Sequence, residues 1–355
     1  MYQIWKNKGG CFKIALLDRA DDLISIGAGS LIWNHFHENP RFSRTKQGQL
    51  FFAAAARNAI RFNAQLTFIQ TLNRSFKQSN IPHVFIKGLA LGSYYASPQS
   101  RPVGDIDLCC GEVRYEDAVN EVARLTGNKI LRIGDKTTTL HMRGDRLSSF
   151  ISVDVHKTLS AYELDDSALK MAKKVWISGL ELPTLSEEEH LRLICLHFLK
   201  HGGWRPIWLC DVAAMAESLP SDFDWDRCMK DERTAHYVST VLELSRRILG
   251  AEFEIPVRYQ ATTLPDWLAS EVLRQWSMPH RAHMPKSPIR YTLANEPRRL
   301  PSALAARWPK PLHAVFIVGG RFSNLRPQVF QCAAFLKKGL SHVYWNYMTK
   351  KIMKA

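Results

Sequence analysis

From residue 46 to 80 apolar positions recur about every 3.6 residues, among Ala, Leu, Phe and Gln, and this predicts one long helix. It ends near Asn80-Ile81-Pro82, because proline disfavours helical backbone in the residue before it. The period then changes. His83 to Lys87 reads as a short strand, Leu89 to Ala96 as a helix, and "SPQSRPVG" as a loop by its Pro, Ser and Gly content. Asp105 to Cys110 is predicted as a strand, Tyr115 to Leu125 as a helix and Lys129 to Ile133 as another strand. "TTTLHMRGDRLSSFISVDVH" predicts a hairpin turning at Arg143-Gly144-Asp145. From Glu187 onward the spacing is helical. Ser186, followed three residues on by Glu189, predicts a capping box, and "RTAHYVSTVLELSRRILG" closes on Gly250 as a helix end should. The segment 279 to 311, rich in Pro and Arg, is expected to be irregular. The pattern is that of an α+β protein: a helical N-terminal region over 1–80, a small mixed sheet with flanking helices over 81–180, a helical domain over 181–278, and a C-terminal region over 279–355 packing on that domain.

Composition narrows the class. A chain of 355 residues, 46% hydrophobic, can bury a sizeable core. Seven cysteines form no CxxC pair, which fits small hydrophobes in a reducing compartment. No apolar stretch resembles a secretory signal at the N-terminus or a membrane span, so a cytoplasmic protein is expected. The net charge of +15 is unevenly placed: residues 281 to 355 hold 14 Lys and Arg against the single acid Glu296. Such a field attracts polyanions, whether RNA or an anionic membrane surface, and it also fits a plain solvated surface.

Against this background two acids stand out. In "DIDL", Asp105 and Asp107 interrupt an apolar strand and share one face, about 7 Å apart. Like charges so close repel, and burying either is costly unless a cation compensates both. Hard oxygen ligands at this spacing suit Mg²⁺ or Mn²⁺. "FISVDVH" places Asp154 in another strand, where an antiparallel neighbour would bring it to the same edge; His156 would follow two residues on, with His141 a lesser candidate. Upstream, Lys87-Gly88 ends a strand and opens a helix, so backbone N–H groups, a close approach at glycine and a lysine charge converge as a phosphate cradle. Arg101 is a second candidate phosphate ligand, and Tyr94 and Tyr95 could stack on a base. His190, His197 and His201 share a helical face without an HExxH or a carboxylate partner, which favours polar packing or substrate contact over zinc. Asp211, an acid within an apolar helix, could cap, pair with Arg205 or reach the cleft.

The order "KGLAL", "YY", an arginine and "DIDL", followed by "VDVH" and "ICLHFLKHGGWRPIWLCDVAAM", resembles the nucleotidyltransferase-fold families related to DNA polymerase beta. It is most similar to the bacterial group called uncharacterised nucleotidyltransferase, from about Phe85 to Ala214, with a looser echo in "LPSALAARWPKPL" and "NLRP". Where the superfamily usually has Gly-Ser, this chain has Lys87-Gly88. The resemblance implies a nucleotidyltransferase core over 81–180, with Asp105, Asp107 and Asp154 as metal ligands and catalytic groups. It implies Lys87, Gly88, Arg101, Tyr94 and His156 at the nucleotide or acceptor, Mg²⁺ or Mn²⁺ as cofactor, and an NTP (ATP among them) as substrate. The expected reaction moves a nucleoside monophosphate to a hydroxyl or phosphate acceptor. Tailoring of a natural product, peptide or sugar in a biosynthetic setting is the first reading. The alternatives are a toxin-like transferase acting on RNA or tRNA, and a non-catalytic nucleotide- or polyanion-binding protein.

Overall fold

A computed structural model describes residues 18–128, 135–142, 151–162, 164, 167–260, 263–278 and 289–338. The strand expected over 129–133 and the turn at 143–145 lie outside these residues.

The long helix is present as α3, Lys46–Gln78, after the shorter α1, Ala20–Ser25, and α2, Gly29–Phe36. Thr45 caps α3 by accepting a hydrogen bond from the Gly48 amide at 2.9 Å. Phe51, Phe62, Phe68, Ile69, Leu72 and Phe76 form its buried stripe, at helical spacing. The stripe is interrupted by Asn58, Arg61 and Gln65, and these polar groups have a common task. Asn58 bonds the Gln99 carbonyl at 2.6 Å and accepts from the Val103 amide; Arg61 and Gln65 donate to the Val103 and Gly104 carbonyls. The helix thereby fixes the segment that delivers Asp105.

The sheet has six strands in the order β3-β4-β2-β1-β6-β5. They are β1 Val84–Ile86, β2 Ile106–Cys109, β3 Thr137–His141, β4 Ser152–His156, β5 Lys173–Ile177 and β6 Leu180–Thr184, with helix α4, Tyr115–Thr126, between β2 and β3. Strands β2 and β4 run parallel, and the connection between them passes through α4 and β3. This corrects the expected antiparallel pairing: the antiparallel side of β4 is taken by its hairpin partner β3. Ile106, Leu108, Val153 and Val155 face α3 and α4 in one hydrophobic cluster. The alternation of side chains along a strand then sends Asp107, Asp154 and His156 to the opposite face.

That face is covered by the C-terminal helices α5 Glu187–Lys200, α6 Pro206–Glu217, α7 Glu232–Leu249, α8 Asp266–Ser277 and α9 Pro311–Val318, which build the larger cluster. Gly250, left-handed at φ 65°, ends α7 as expected. The capping box of α5 is replaced: the Ser186 hydroxyl donates to Glu188 at 2.6 Å and to Glu189, rather than accepting from the backbone. Leu89 to Ala96 holds a 3₁₀ helix, Gly88–Tyr94. The expectation of irregular structure over 279–311 fails from residue 289 on, where Ile289–Asn295 and Leu300–Ala305 are helical and Pro297–Arg299 is a 3₁₀ turn. Proline at the second position of Leu300–Ala305 needs no intrahelical N–H partner, so its presence does not argue against a helix. The six described cysteines are free, and all but Cys332 are buried. No helix among the described residues is long and apolar enough to cross a membrane.

Candidate active site

Between the sheet and helices α5 and α6 lies a cavity of about 400 Å³. The parallel register sets Asp107 beside Asp154 and Cys109 beside His156. One ligand atom from each of Asp107, Asp154 and His156 falls within 4.8 Å of the others. Strand β3 steadies two of the three: Thr139 donates to Asp154 Oδ1 at 2.6 Å, and Thr137 Oγ1 lies 3.1 Å from His156 Nδ1. Asp105 precedes β2 and lines the same cavity, reaching solvent at its mouth, but stands outside this trio. Desolvation, followed by the Asp107 and Asp154 charges, pushes its carboxyl above the ordinary range.

Lys87 and Gly88 reach this cavity too. The Lys87 ammonium sits 2.6 Å from Asp107 Oδ1, and His156 Nε2 lies 2.9 Å from the same oxygen. Burial opposes ionisation of Asp107, yet Lys87 and then His156 outweigh it and hold the carboxyl at about 2. Burial likewise opposes the ammonium, and Asp107 foremost raises Lys87 above its usual value. Lys87 has φ 53° and ψ −147°, a backbone conformation that costs a non-glycine residue about 1–3 kcal/mol. Its amide donates to His190 Nε2 at 3.1 Å, which helps hold that conformation. His190 is 1% exposed, and burial, with Arg101 and Lys87 nearby, lowers it to about 3, so it stays neutral as the acceptor requires. Gly88, at φ 34°, would place an added Cβ 3.2 Å from the Asp105 carbonyl oxygen. A side chain here would crowd that oxygen and carry the strain of a positive φ.

Other expected residues are placed differently. Arg101, expected at a phosphate, grips Asp211 with two bonds of 2.7 Å and the Pro102 carbonyl with a third of 3.0 Å. Tyr95 adds its hydroxyl to Asp211 Oδ1 at 2.7 Å. Asp211 thus pairs with Arg101 rather than Arg205, and Tyr95 is engaged in that network rather than open to a base. Tyr94 is absent from the cavity lining and packs against the hydrophobic cluster, near Glu187 and Glu188. His141 also stays outside the lining.

The cavity recruits residues the sequence reading passed over. Tyr162, Lys200, Trp208 and Arg61 line it, as do His197 and His201. Ring centroids of His197 lie 4.4 Å from His201 and 4.9 Å from Trp208, and Lys200 stands 4.6 Å from the Tyr162 ring. Lys200 had a signal, being one turn from His197 on the histidine face. Arg61 had none, since a charge in a long helix ordinarily faces water.

Two carboxylates and an imidazole on neighbouring strands could hold a divalent cation, and a strained lysine and a glycine line the same cavity beside them. One solved structure similar to this chain is that of an antigenic nucleotidyltransferase-like protein from Paracoccidioides brasiliensis: 14% identity, TM-score 0.38, covering 53% of this chain and 93% of that one. No curated protein matches the chain significantly. Residues 34–249, well over half the sequence, match the family described as uncharacterised nucleotidyltransferase, and the chain belongs to that family.

Proposed function

We propose that the protein transfers a nucleoside monophosphate from an NTP to a small hydroxyl- or phosphate-bearing acceptor such as a natural product, peptide or sugar. The observation carrying this reading is the register of β2 and β4, which sets Asp107 beside Asp154 and His156 next to the Lys87-Gly88 turn. The donor set fits a divalent cation, which Asp107, Asp154 and His156 would hold with Asp105 close by; the imidazole favours Mn²⁺ over Mg²⁺. Such an ion, when bound, supplies charge stabilisation at the reacting phosphate.

The chain's own residues account for the rest. Gly88 leaves backbone space for the phosphates, and Lys87, released from Asp107, brings its ammonium to them. Asp154, oriented by Thr139, accepts the proton of the acceptor hydroxyl. The acceptor oxygen bonds to the α-phosphorus as the bond to the leaving pyrophosphate breaks. Neutral His197 and the Tyr162 and Trp208 rings give the cavity an aromatic wall for a base or for the acceptor.

Incubation with each NTP, Mn²⁺ and candidate acceptors should release pyrophosphate and yield a product heavier by one nucleoside monophosphate in mass spectrometry. Asp107→Asn should lower turnover by roughly 1000-fold or more. Mn²⁺ should raise the melting temperature of the wild type and leave that of Asp107→Asn unchanged. Undiminished turnover in the variant would remove the trio from the chemistry.

RNA is the second reading, supported by two contacts: Lys310 and His313 of the basic C-terminal region pack at Trp204 and at the Lys200 carbonyl, beside the cleft. In the same assay, nucleotide addition to RNA instead of small acceptors would select it.

A further inference from the structure

The cleft has a second branch. A cavity of about 210 Å³ adjoins the first, and Gly27, Arg61, Pro102 and Arg205 line both. Arg57, one turn before Arg61 on α3, adds a third guanidinium. Among the described residues lining this branch there is no carboxylate, whereas four line the main cleft. Arg61 is anchored by a 3.2 Å bond from Nη1 to the Val103 carbonyl. The guanidinium carbon of Arg205 lies 5.4 Å from the Trp204 ring and 5.7 Å from Trp208, and its Nε is buried without a hydrogen-bond partner among the described residues. Desolvation, and then a like charge (Arg57 for Arg61, Arg101 for Arg205), makes holding the charge of these two guanidinium groups costly, and Asp105 offsets only part of that cost. A sheltered guanidinium in that position costs free energy until an anion meets it.

The cationic groups fall into two sets. Lys200 and Lys87 both stand over the Tyr162 ring, at 4.6 and 6.0 Å, while Arg61 and Arg205 line the wall shared by the two cavities. In an in-line displacement the attacking oxygen and the leaving pyrophosphate lie on opposite sides of the phosphorus. With the phosphate chain at Lys87 and Gly88, the acceptor enters from the other side. We infer that the branch walled by Arg57, Arg61 and Arg205 binds an anionic group, a phosphate or a carboxylate, carried by the acceptor. The inference rests on the nucleotidyl-transfer reading and narrows its acceptor to an anionic molecule.

Calorimetry tests it on the full chain saturated with Mn²⁺ and a non-hydrolysable NTP analogue, titrated with inorganic phosphate and, separately, with acetate. Wild type should bind one equivalent of at least one anion, and the preferred anion tells phosphate from carboxylate. Arg205→Gln and the exposed-site variant Arg57→Gln should each weaken that binding roughly tenfold or more, while Arg205→Lys retains part of it. Affinity for the NTP analogue should stay within about twofold. Absence of anion binding by the wild type, or equal anion affinity in the variants, overturns the assignment. A parallel loss of analogue affinity overturns it too, by giving the branch to the triphosphate. If the analogue fails to bind even the wild type, the transfer reading falls, and phosphate titration of the protein alone still decides the branch through its response to Arg57→Gln and Arg205→Gln.

Discussion

Two buried ion pairs share one cavity and are built in opposite ways. Arg101 and Asp211 meet through two parallel bonds of 2.7 Å, with Tyr95 and the Pro102 carbonyl taking further capacity on either side. Lys87 and Asp107 meet through a single contact of 2.6 Å, on the oxygen that His156 also approaches, with Asp154 and Asp105 adding negative charge nearby. The first pair is closed: its partners match in charge, geometry and hydrogen-bond capacity. The second is open: one ammonium serves a group of carboxylates and rides on a strained backbone. Closed pairs hold a fold together, whereas an unbalanced group of like charges persists where something else binds.

Removing one cation from each pair should have unequal consequences. Arg101→Ala leaves Asp211 buried with only Tyr95 to satisfy it, and should cost about 3–5 kcal/mol of stability in urea unfolding. Lys87→Ala should cost less, because a single contact is lost and His156 stays on Asp107, the positive φ being as strained for alanine as for lysine. Equal losses in the two variants would make both pairs structural.

How legible these pairs were in the sequence follows from the range of the signals. Periodicity gave α3, the strands around the acids and the hairpin, because each reports on its own neighbours in the chain. The acids stood out because a carboxylate in an apolar strand violates a local pattern. The pairing of Arg101 was hidden for the complementary reason. Its partner Asp211 is 110 residues away, and an arginine in a Pro- and Ser-rich loop carries no mark of being buried. The parallel pairing of β2 with β4 was hidden likewise: alternation fixes which face a residue takes, while the neighbour of a strand is decided by the crossover. Lys87 and Gly88 were readable as a turn, but the left-handed φ of Lys87 was not, since only the His190 and Asp107 contacts make that conformation tolerable.

The pH dependence of stability sharpens the contrast next. His190 is lowered to about 3 from an ordinary 6.5, so the unfolded chain binds its proton first. Stability from this group is therefore complete above about pH 6.5 and drains away as the pH falls toward 3, by at most about 1.4 kcal/mol per pH unit. Asp107, lowered to about 2 from 3.8, adds a second loss confined to the interval below pH 4. His190→Gln keeps an acceptor for the Lys87 amide and should reduce the loss between pH 6 and 4, leaving the share of His197 and His201, which burial also lowers, and the more acid loss. Chemical denaturation at half-unit pH intervals reads both. An unchanged slope in the variant would show that Lys87 is held by something other than a neutral His190.

The smallest effect expected is at Gly88, and it separates the two halves of the open side. Valine there must adopt φ 34° and place its Cβ 3.2 Å from the Asp105 carbonyl oxygen and 3.8 Å from the Val103 side chain, so its bulk shifts the backbone that a phosphate would approach. Lys87→Ala removes one charge but leaves the backbone free to approach. Gly88→Val should therefore weaken binding of a non-hydrolysable NTP analogue by roughly tenfold, and Lys87→Ala by less. Gly88→Ala, which shares the strained φ and lacks the methyl groups, should fall between them and serves as the control for backbone strain. Calorimetry gives the order, and thermal unfolding of the same three proteins shows whether the fold has been spared. If Lys87→Ala proves the most damaging, the ammonium is the main phosphate ligand. The contact with Asp107 would then be only its resting position, and the second ion pair would be open in the full sense, its cation shared between two tasks.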